Sequence, residues 1–243
     1  MTAVPDEPLL VLVGGVPGAG KSTLLARVAD DHPGARVLDP DPYRRRLAAL
    51  LPGVPYRFCR PVVHTRHAVT TLGAVLRGPA ASPEGVILVH DPATRPGRRE
   101  ALARLARSCG WRPVLVVVDV PRQAALDGQS ERGRVVRPRS FARHWERWAA
   151  QRSELAAAAT RRRPLGSWAE VHVVDRTTAL PAVRGLLGRR SGDLRGAAVG
   201  PDGGARFVRG QGPGRGHEPV RACSRTASAT ASATRWSNTP GMM

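Results

Sequence analysis

The chain has 243 residues, 42% of them hydrophobic and only 4% aromatic, enough for one sizeable core built on Val, Leu and Ala rather than on rings. Its formal net charge of +19 admits a polyanionic partner such as nucleic acid, but the charge is spread along the chain: only nine arginines and three acids lie beyond residue 188. No apolar run reaches the roughly 18 residues of a membrane-spanning helix, so no membrane partner is expected.

The N-terminal stretch MTAVPDEPLLVLVGG carries two acids and no basic residue ahead of its apolar run. It reads as a first strand, Leu9–Gly15, rather than a secretory leader. A helical stretch, Lys21–Asp30, follows. Ala35–Asp39 is a second short strand before the helical PYRRRLAALL and another helix-like segment at Val62–Leu76. Gly85–Asp91 leads into Arg98–Ser108, and Pro113–Val120 leads into Arg122–Gly128. Ser140–Ala159 is a long helix; Glu170–Asp175 and Thr178–Leu187 close the series. Near-continuous Val/Leu strands alternating with helices predict a parallel sheet covered on both faces. The expectation is a doubly wound α/β domain over residues 1–188. From 189 to 243 the chain is rich in Gly, Ser, Arg and Pro without apolar periodicity, and a disordered tail is expected there. Cys59, Cys109 and Cys223 show no metal-ligand spacing and read as reduced thiols of a cytoplasmic protein.

Lys21 is the only lysine among 38 basic residues. It lies in Gly15-Val16-Pro17-Gly18-Ala19-Gly20-Lys21-Ser22-Thr23, which fits G-x-x-x-x-G-K-[ST] between a strand and a helix. The glycines let the backbone curl so that successive N–H groups face phosphate oxygens, and the helix N-terminus adds positive potential. Lys21 is expected to reach the β/γ-phosphates of a nucleotide as a point charge, and Ser22 to offer its hydroxyl to Mg²⁺. The broad guanidinium fork of arginine does not replace an ammonium in that niche. A nucleotide-binding P-loop fold follows.

Phosphoryl transfer needs a metal carboxylate, a base on the acceptor side and cations near the γ-phosphate. Asp91, at the end of VILVHD, suits the Mg²⁺ shell, although an Asp before Pro92 also suits a turn. In VLDPDPYRRRL, Asp39 and Asp41 end the second strand. Either is placed to accept a hydroxyl proton, and either equally to cap the next helix before Pro42. Arg44 follows three residues on. QSERGRVVRPR supplies Arg132, Arg134, Arg137 and Arg139 as an arginine-bearing lid or a solvated loop. His64 and His67 are spaced to share a helix face, with either a surface or a substrate-contact role. Trp111, Trp145, Trp148 and Trp168 read as packing residues.

In this order the segments resemble the P-loop kinase-like ATP-binding proteins, AAA-type ATPases grouped with the polynucleotide 5′-hydroxyl kinase domain and with zeta-toxin-like kinases, over about residues 9–160. The resemblance implies ATP and Mg²⁺ as cofactors. DPDPYR is similar to an Asp-x-x-Arg pattern that would make Asp41 the general base, with Arg44 beside the acceptor and Asp39 its flanking carboxylate. HDPATRPGRREAL would place Asp91 at the family's acidic position, and DVPRQAALDGQSERGR would make Arg132 the lid arginine. Where such relatives carry an arginine ahead of the lid Arg-Gly, this chain has Asp127 and Gly128. The function implied is γ-phosphoryl transfer from ATP to an acceptor hydroxyl, on a polynucleotide end or a small metabolite. A switch ATPase without an acceptor, and a nucleic-acid-binding protein with a regulatory nucleotide site, are the alternatives.

Overall fold

The computed structural model describes residues 7–131 and 136–195. The chain folds as an alternating series: β1 (Leu9–Gly14), α1 (Lys21–Asp31), β2 (Arg36–Leu38), α2 (Pro40–Leu50), α3 (Tyr56–Leu76), β3 (Val86–His90), α4 (Pro96–Ser108), β4 (Arg112–Val118), α5 (Arg122–Ser130), α6 (Pro138–Arg161), β5 (Glu170–Val174) and α7 (Ala179–Arg195). The five strands form one sheet in the order β2-β3-β1-β4-β5, and every pairing is parallel. The doubly wound architecture expected from the Val/Leu runs is therefore present.

β1 is the central strand, and all six of its residues are buried. Its register pairs Val13 with His90 on one side and with Val116 on the other, so the carboxyl ends of β1, β3 and β4 finish at nearly the same level. α1 and α7 pack against each other, while α3 packs against α4. α6 joins α4 through Arg99, whose Nη1 donates to the Gln151 side chain. Trp111, Trp148 and Trp168 are buried in the core, and Trp145 packs against it, as their sequence positions imply. No helix among the described residues is long and apolar enough to cross a membrane.

Two boundaries differ from the sequence reading by more than two residues. α3 begins at Tyr56 rather than Val62, with Pro61 inside it. Pro61 is solvent-exposed and removes a single i→i−4 bond, a loss that the remaining turns of a long helix absorb. α7 continues to Arg195, past the boundary expected at residue 188. The tail expected from 189 onward otherwise lies, from residue 196, outside the described residues.

Candidate active site

Strand β1 delivers the chain into the glycine-rich loop, and Gly20 caps the N-terminus of α1. Gly15, Gly18 and Gly20 all have positive φ, at 138°, 88° and 103°, conformations that a side chain would strain. A β-carbon on Gly18 would lie 1.9 Å from the carbonyl oxygen of Ala125. The loop is thus seated directly on α5. Lys21 is only 6% exposed, and its Nζ donates to the carbonyls of Gly15 (2.8 Å) and Val16 (3.0 Å). The ammonium is folded over the loop it belongs to, an arrangement that holds a point charge inside the phosphate cradle.

The β3–α4 turn is stitched to this loop. Gly15 N–H donates to Pro92 O at 3.1 Å, and Asp91 N–H to Val13 O at 3.2 Å. The Asp91 carboxylate accepts the Ala93 N–H at 2.7 Å and stands 3.6 Å from Arg98 Nη2. It therefore shapes the turn that follows β3, the bland role its position before Pro92 also allowed.

At the end of β2, Asp39 is the N-cap of α2 and accepts the Asp41 N–H at 2.9 Å. Its Oδ1 also lies 3.0 Å from His90 Nδ1, and Ser22 lines the same cleft. Burial opposes the charge on Asp39, but the interactions with His90, the Asp41 N–H and Ser22 prevail and hold its pKa at about 2. Burial pushes the His90 pKa down, and the nearby Lys21 charge adds to this against the pull of Asp39. Near neutrality the pair is a carboxylate and a neutral imidazole, with Nδ1–H donating to Asp39. Asp41, in the first turn of α2, accepts from Arg44 Nε at 3.1 Å, and the Arg44 guanidinium lies 5.4 Å from the Tyr56 ring centre. Asp39 and Asp41 line one cleft together with Ser22 and Thr23. Both carboxylates of DPDPYR thus line the cleft beside the phosphate loop, and Asp39, expected as the flanking one, is the one paired with His90.

Two further cavities flank the loop. One, of about 270 Å³, is lined by Gly18, Gly20, Thr23, Gly128, Glu131 and Arg176. Arg176 Nη2 donates to Gly18 O (2.8 Å) and Ala124 O (2.7 Å), and a β-carbon on Gly128 would lie 2.6 Å from that nitrogen. An arginine from the β5–α7 turn therefore stands where α5 itself offers only Gly128. The other cavity, of about 540 Å³, lies between α3, the β3–α4 turn and α6. His64, His67 and His90 line it, and His67 Nε2 is 2.8 Å from His90 O, so the histidine spacing on α3 does mark a cavity wall. Arg132 and Arg134 lie outside the described residues; Arg137 and Arg139, at the start of α6, are exposed.

Sequence reasoning missed Arg176, His144 and the arginines of the larger cavity. Nothing distinguishes these arginines from the others of an arginine-biased chain, and nothing beside His144 marks it, until the fold brings them together. His90 alone had a legible signal, its place at the end of a buried strand.

A parallel sheet whose central strand runs into this lysine-bearing loop defines a P-loop protein of kinase-like fold. The chain belongs to the AAA domain family, which it matches over residues 10–159. Among solved structures it is similar to a candidate kinase from Chloroflexus aurantiacus, with 15% identity and a TM-score of 0.51, covering 79% of this chain and 98% of that one. It is also similar to a gluconokinase from Sinorhizobium meliloti, at 17% identity and a TM-score of 0.46, covering 80% of this chain and 99% of that one. A third likeness is to the PezAT toxin–antitoxin system of Streptococcus pneumoniae, at 14% identity and a TM-score of 0.42. There the match covers 55% of each chain, so this chain spans about half the length of that relative.

Proposed function

We propose that this protein is an ATP-dependent kinase that transfers the γ-phosphoryl group to an acceptor hydroxyl. One observation carries the reading: besides the cavity lined by the phosphate loop itself there is a second one, lined by the β3–α4 turn that is hydrogen-bonded to the loop. The one at Gly18, Gly20 and Arg176 is suited to the nucleotide, and the one at His64, His67 and His90 to a second substrate. A switch ATPase needs only the first.

In this reading Lys21 and the loop N–H groups hold the ATP phosphates, and Arg176 sits on the nucleotide side. The acceptor oxygen attacks the γ-phosphorus; the new O–P bond forms as the bond to the β–γ bridging oxygen breaks, and ADP leaves. The hydroxyl proton passes to Asp41, which shares its cleft with Ser22 and Thr23 and is oriented by Arg44. Pro40, between the two carboxylates, forms part of the wall of the second cavity, one residue from the proposed base. By the family resemblance Arg132 adds charge stabilisation from the lid.

Ser22 and Asp39 fit Mg²⁺, since a hydroxyl and an ionised carboxylate lining one cleft are hard oxygen ligands; Mg²⁺ takes few protein ligands and completes its shell with phosphate and water. When bound, the ion would neutralise phosphate charge. Asp91 is the second carboxylate proposed for that shell, on strand-end position alone.

The test is a γ-phosphate transfer screen with purified protein across polyols, sugars, nucleosides and oligonucleotide ends, with Lys21→Ala as the blank. Acceptor-dependent ADP release supports the kinase. ATP hydrolysis that no acceptor stimulates, with no phosphorylated product, would overturn it in favour of the switch.

A further inference from the structure

The larger cavity is unusually rich in arginine. Arg60 from α3, Arg95 and Arg98 from the β3–α4 turn and helix, and Arg143 and Arg147 from α6 all line it. Among the described residues the only carboxylate on that lining is Asp91, and it is already engaged by the Ala93 N–H and Arg98. Five arginines from three separate elements line one open space, against one carboxylate.

The histidines on the same wall register that field. Burial first, and then the charges of Lys21, Arg147, Arg60 and Arg95, together lower the His144 pKa to about 4. His64 is lowered by burial, then by Arg60, His67 and Arg98, against a weaker opposing pull from Asp91. His144 Nδ1 is 3.0 Å from Thr94 Oγ1. Protonating these rings would add like charge to a site already positive, so none supplies a counterion. Guanidinium forks match oxyanions, two N–H bonds to two oxygens, and this lining leaves a positive space that such a group would fill. The volume of about 540 Å³ is in the usual range for a small-molecule site.

We propose that this cavity binds the oxyanion of the acceptor, and that the acceptor is a small hydroxyl compound already carrying a phosphate or carboxylate group. The proposal rests on the kinase reading for the word acceptor, but anion binding here stands without it. Gly15 N–H to Pro92 O ties the cavity wall to the phosphate loop, so an oxyanion held by Arg95 and Arg143 would leave a hydroxyl of the same molecule beside the transferred group.

Two measurements test it. In the first, inorganic phosphate is titrated into the full chain while the His144 and His64 ring protons are followed by NMR at constant ionic strength. Phosphate binding is expected to raise both pKa values; citrate and gluconate separate a carboxylate preference from a phosphate preference. Histidine titrations unmoved by any oxyanion overturn the proposal. In the second, transfer is compared within matched pairs: glycerol and glycerol 3-phosphate, ribose and ribose 5-phosphate, a nucleoside and its monophosphate, glucose and gluconate. The charged member is expected to have at least 10-fold higher kcat/KM, and Arg95→Gln with Arg143→Gln to raise its KM at least 10-fold with a smaller change in kcat. Neutral members used equally well, or oligonucleotide ends preferred to every small anion, would overturn the acceptor class while the kinase survives. If the arginine substitutions weaken ATP rather than acceptor binding, the cavity belongs to the nucleotide and the proposal fails. Anion binding without transfer to any compound would leave the anion site standing and remove the kinase.

Discussion

Asp39 and His90 lie 51 positions apart in the chain and meet at 3.0 Å, Oδ1 to Nδ1, where β2 and β3 end beside the phosphate loop. The contact ties the first turn of α2 to the strand next to β1. It also sets a pH dependence. Asp39 titrates at about 2 in the fold against an ordinary value of 3.8, so the unfolded chain holds the proton more tightly. The stability this contributes is complete above about pH 4 and disappears as pH falls through 2. At 1.36 kcal/mol per unit it is about 2 kcal/mol. Asp39→Asn should therefore cost about 2 kcal/mol at pH 7 and much less near pH 2.5, measured by urea unfolding at both. An equal cost at the two pH values would show that the carboxylate charge is not what stabilises this corner.

His144 sets a second, higher window. Its folded pKa of about 4, against 6.5 in the free residue, means the unfolded chain takes up a proton that the folded chain refuses between those values. Stability should fall as pH drops from 6.5 towards 4, and His144→Gln should flatten that part of the profile. The ring is partly exposed, so the size of the effect is reduced by solvent. An NMR midpoint near 6.5 for His144 would refute the assignment of a strongly positive surround.

Lys21 is the one basic residue whose chemistry arginine does not copy here. Its buried Nζ satisfies two loop carbonyls at 2.8 and 3.0 Å, inside a bend with no room for a planar five-donor fork. Lys21→Ala and Lys21→Arg are both expected to lose ATP binding by at least 10-fold and transfer beyond detection, read by calorimetry and by the acceptor assay. Normal turnover in Lys21→Arg would sink the explanation of the lone lysine.

Gly18 and Gly53 form a matched pair. Their φ values are 88° and 87°, yet a β-carbon meets the Ala125 carbonyl at 1.9 Å at Gly18 and nothing within 4 Å at Gly53. Gly53→Ala carries only the left-handed cost of about 1 kcal/mol. Gly18→Ala adds a collision between the loop and α5, so its cost should exceed that of Gly53→Ala by at least about 1–2 kcal/mol, with weaker ATP binding. Melting curves of both variants give the comparison, and equal shifts would mean the loop is not seated on α5.

The parts of this molecule written locally were legible in the sequence. The strand runs, the loop and the helices after it follow from period, glycine placement and apolar content, because each is decided within a dozen residues. The packing roles of Trp111, Trp148 and Trp168 also followed from their places beside strands and on an amphipathic helix. What the sequence hid is long-range. Nothing near Asp39 announces His90, and DPDPYR alone leaves Asp39 and Asp41 equivalent until one pairs with His90 and the other with Arg44. The arginine cavity was hidden by composition, since 37 arginines blur any local signal and only three elements folding together select five of them.

The two carboxylates of DPDPYR give the sharpest separation of roles. Asp41 is proposed as the proton acceptor, and its amide analogue keeps the size, a partner for Arg44 Nε and the backbone N–H that Asp39 accepts. Asp41→Asn should thus fold and bind Mg·ATP normally and lose transfer by about 10²-fold or more through kcat, the usual scale of general-base loss. Asp39→Asn was expected from the family spacing to be the milder change. Its bond to His90 and its place in one cleft with Ser22 now predict a comparable loss of a different kind. The variant should need more Mg²⁺ to reach half-maximal rate, because the removed charge shares a cleft with the hydroxyl proposed to hold the metal, whereas the Mg²⁺ requirement of Asp41→Asn should be that of the unmodified protein. Rates at saturating acceptor are measured for both variants over a Mg²⁺ series, with melting curves as the folding control. If Asp39→Asn loses kcat at every Mg²⁺ concentration while Asp41→Asn retains it, the base is Asp39, acting alone or through the His90 ring it orients. If both retain full activity on a true acceptor, the proton leaves by another route and neither carboxylate is the base.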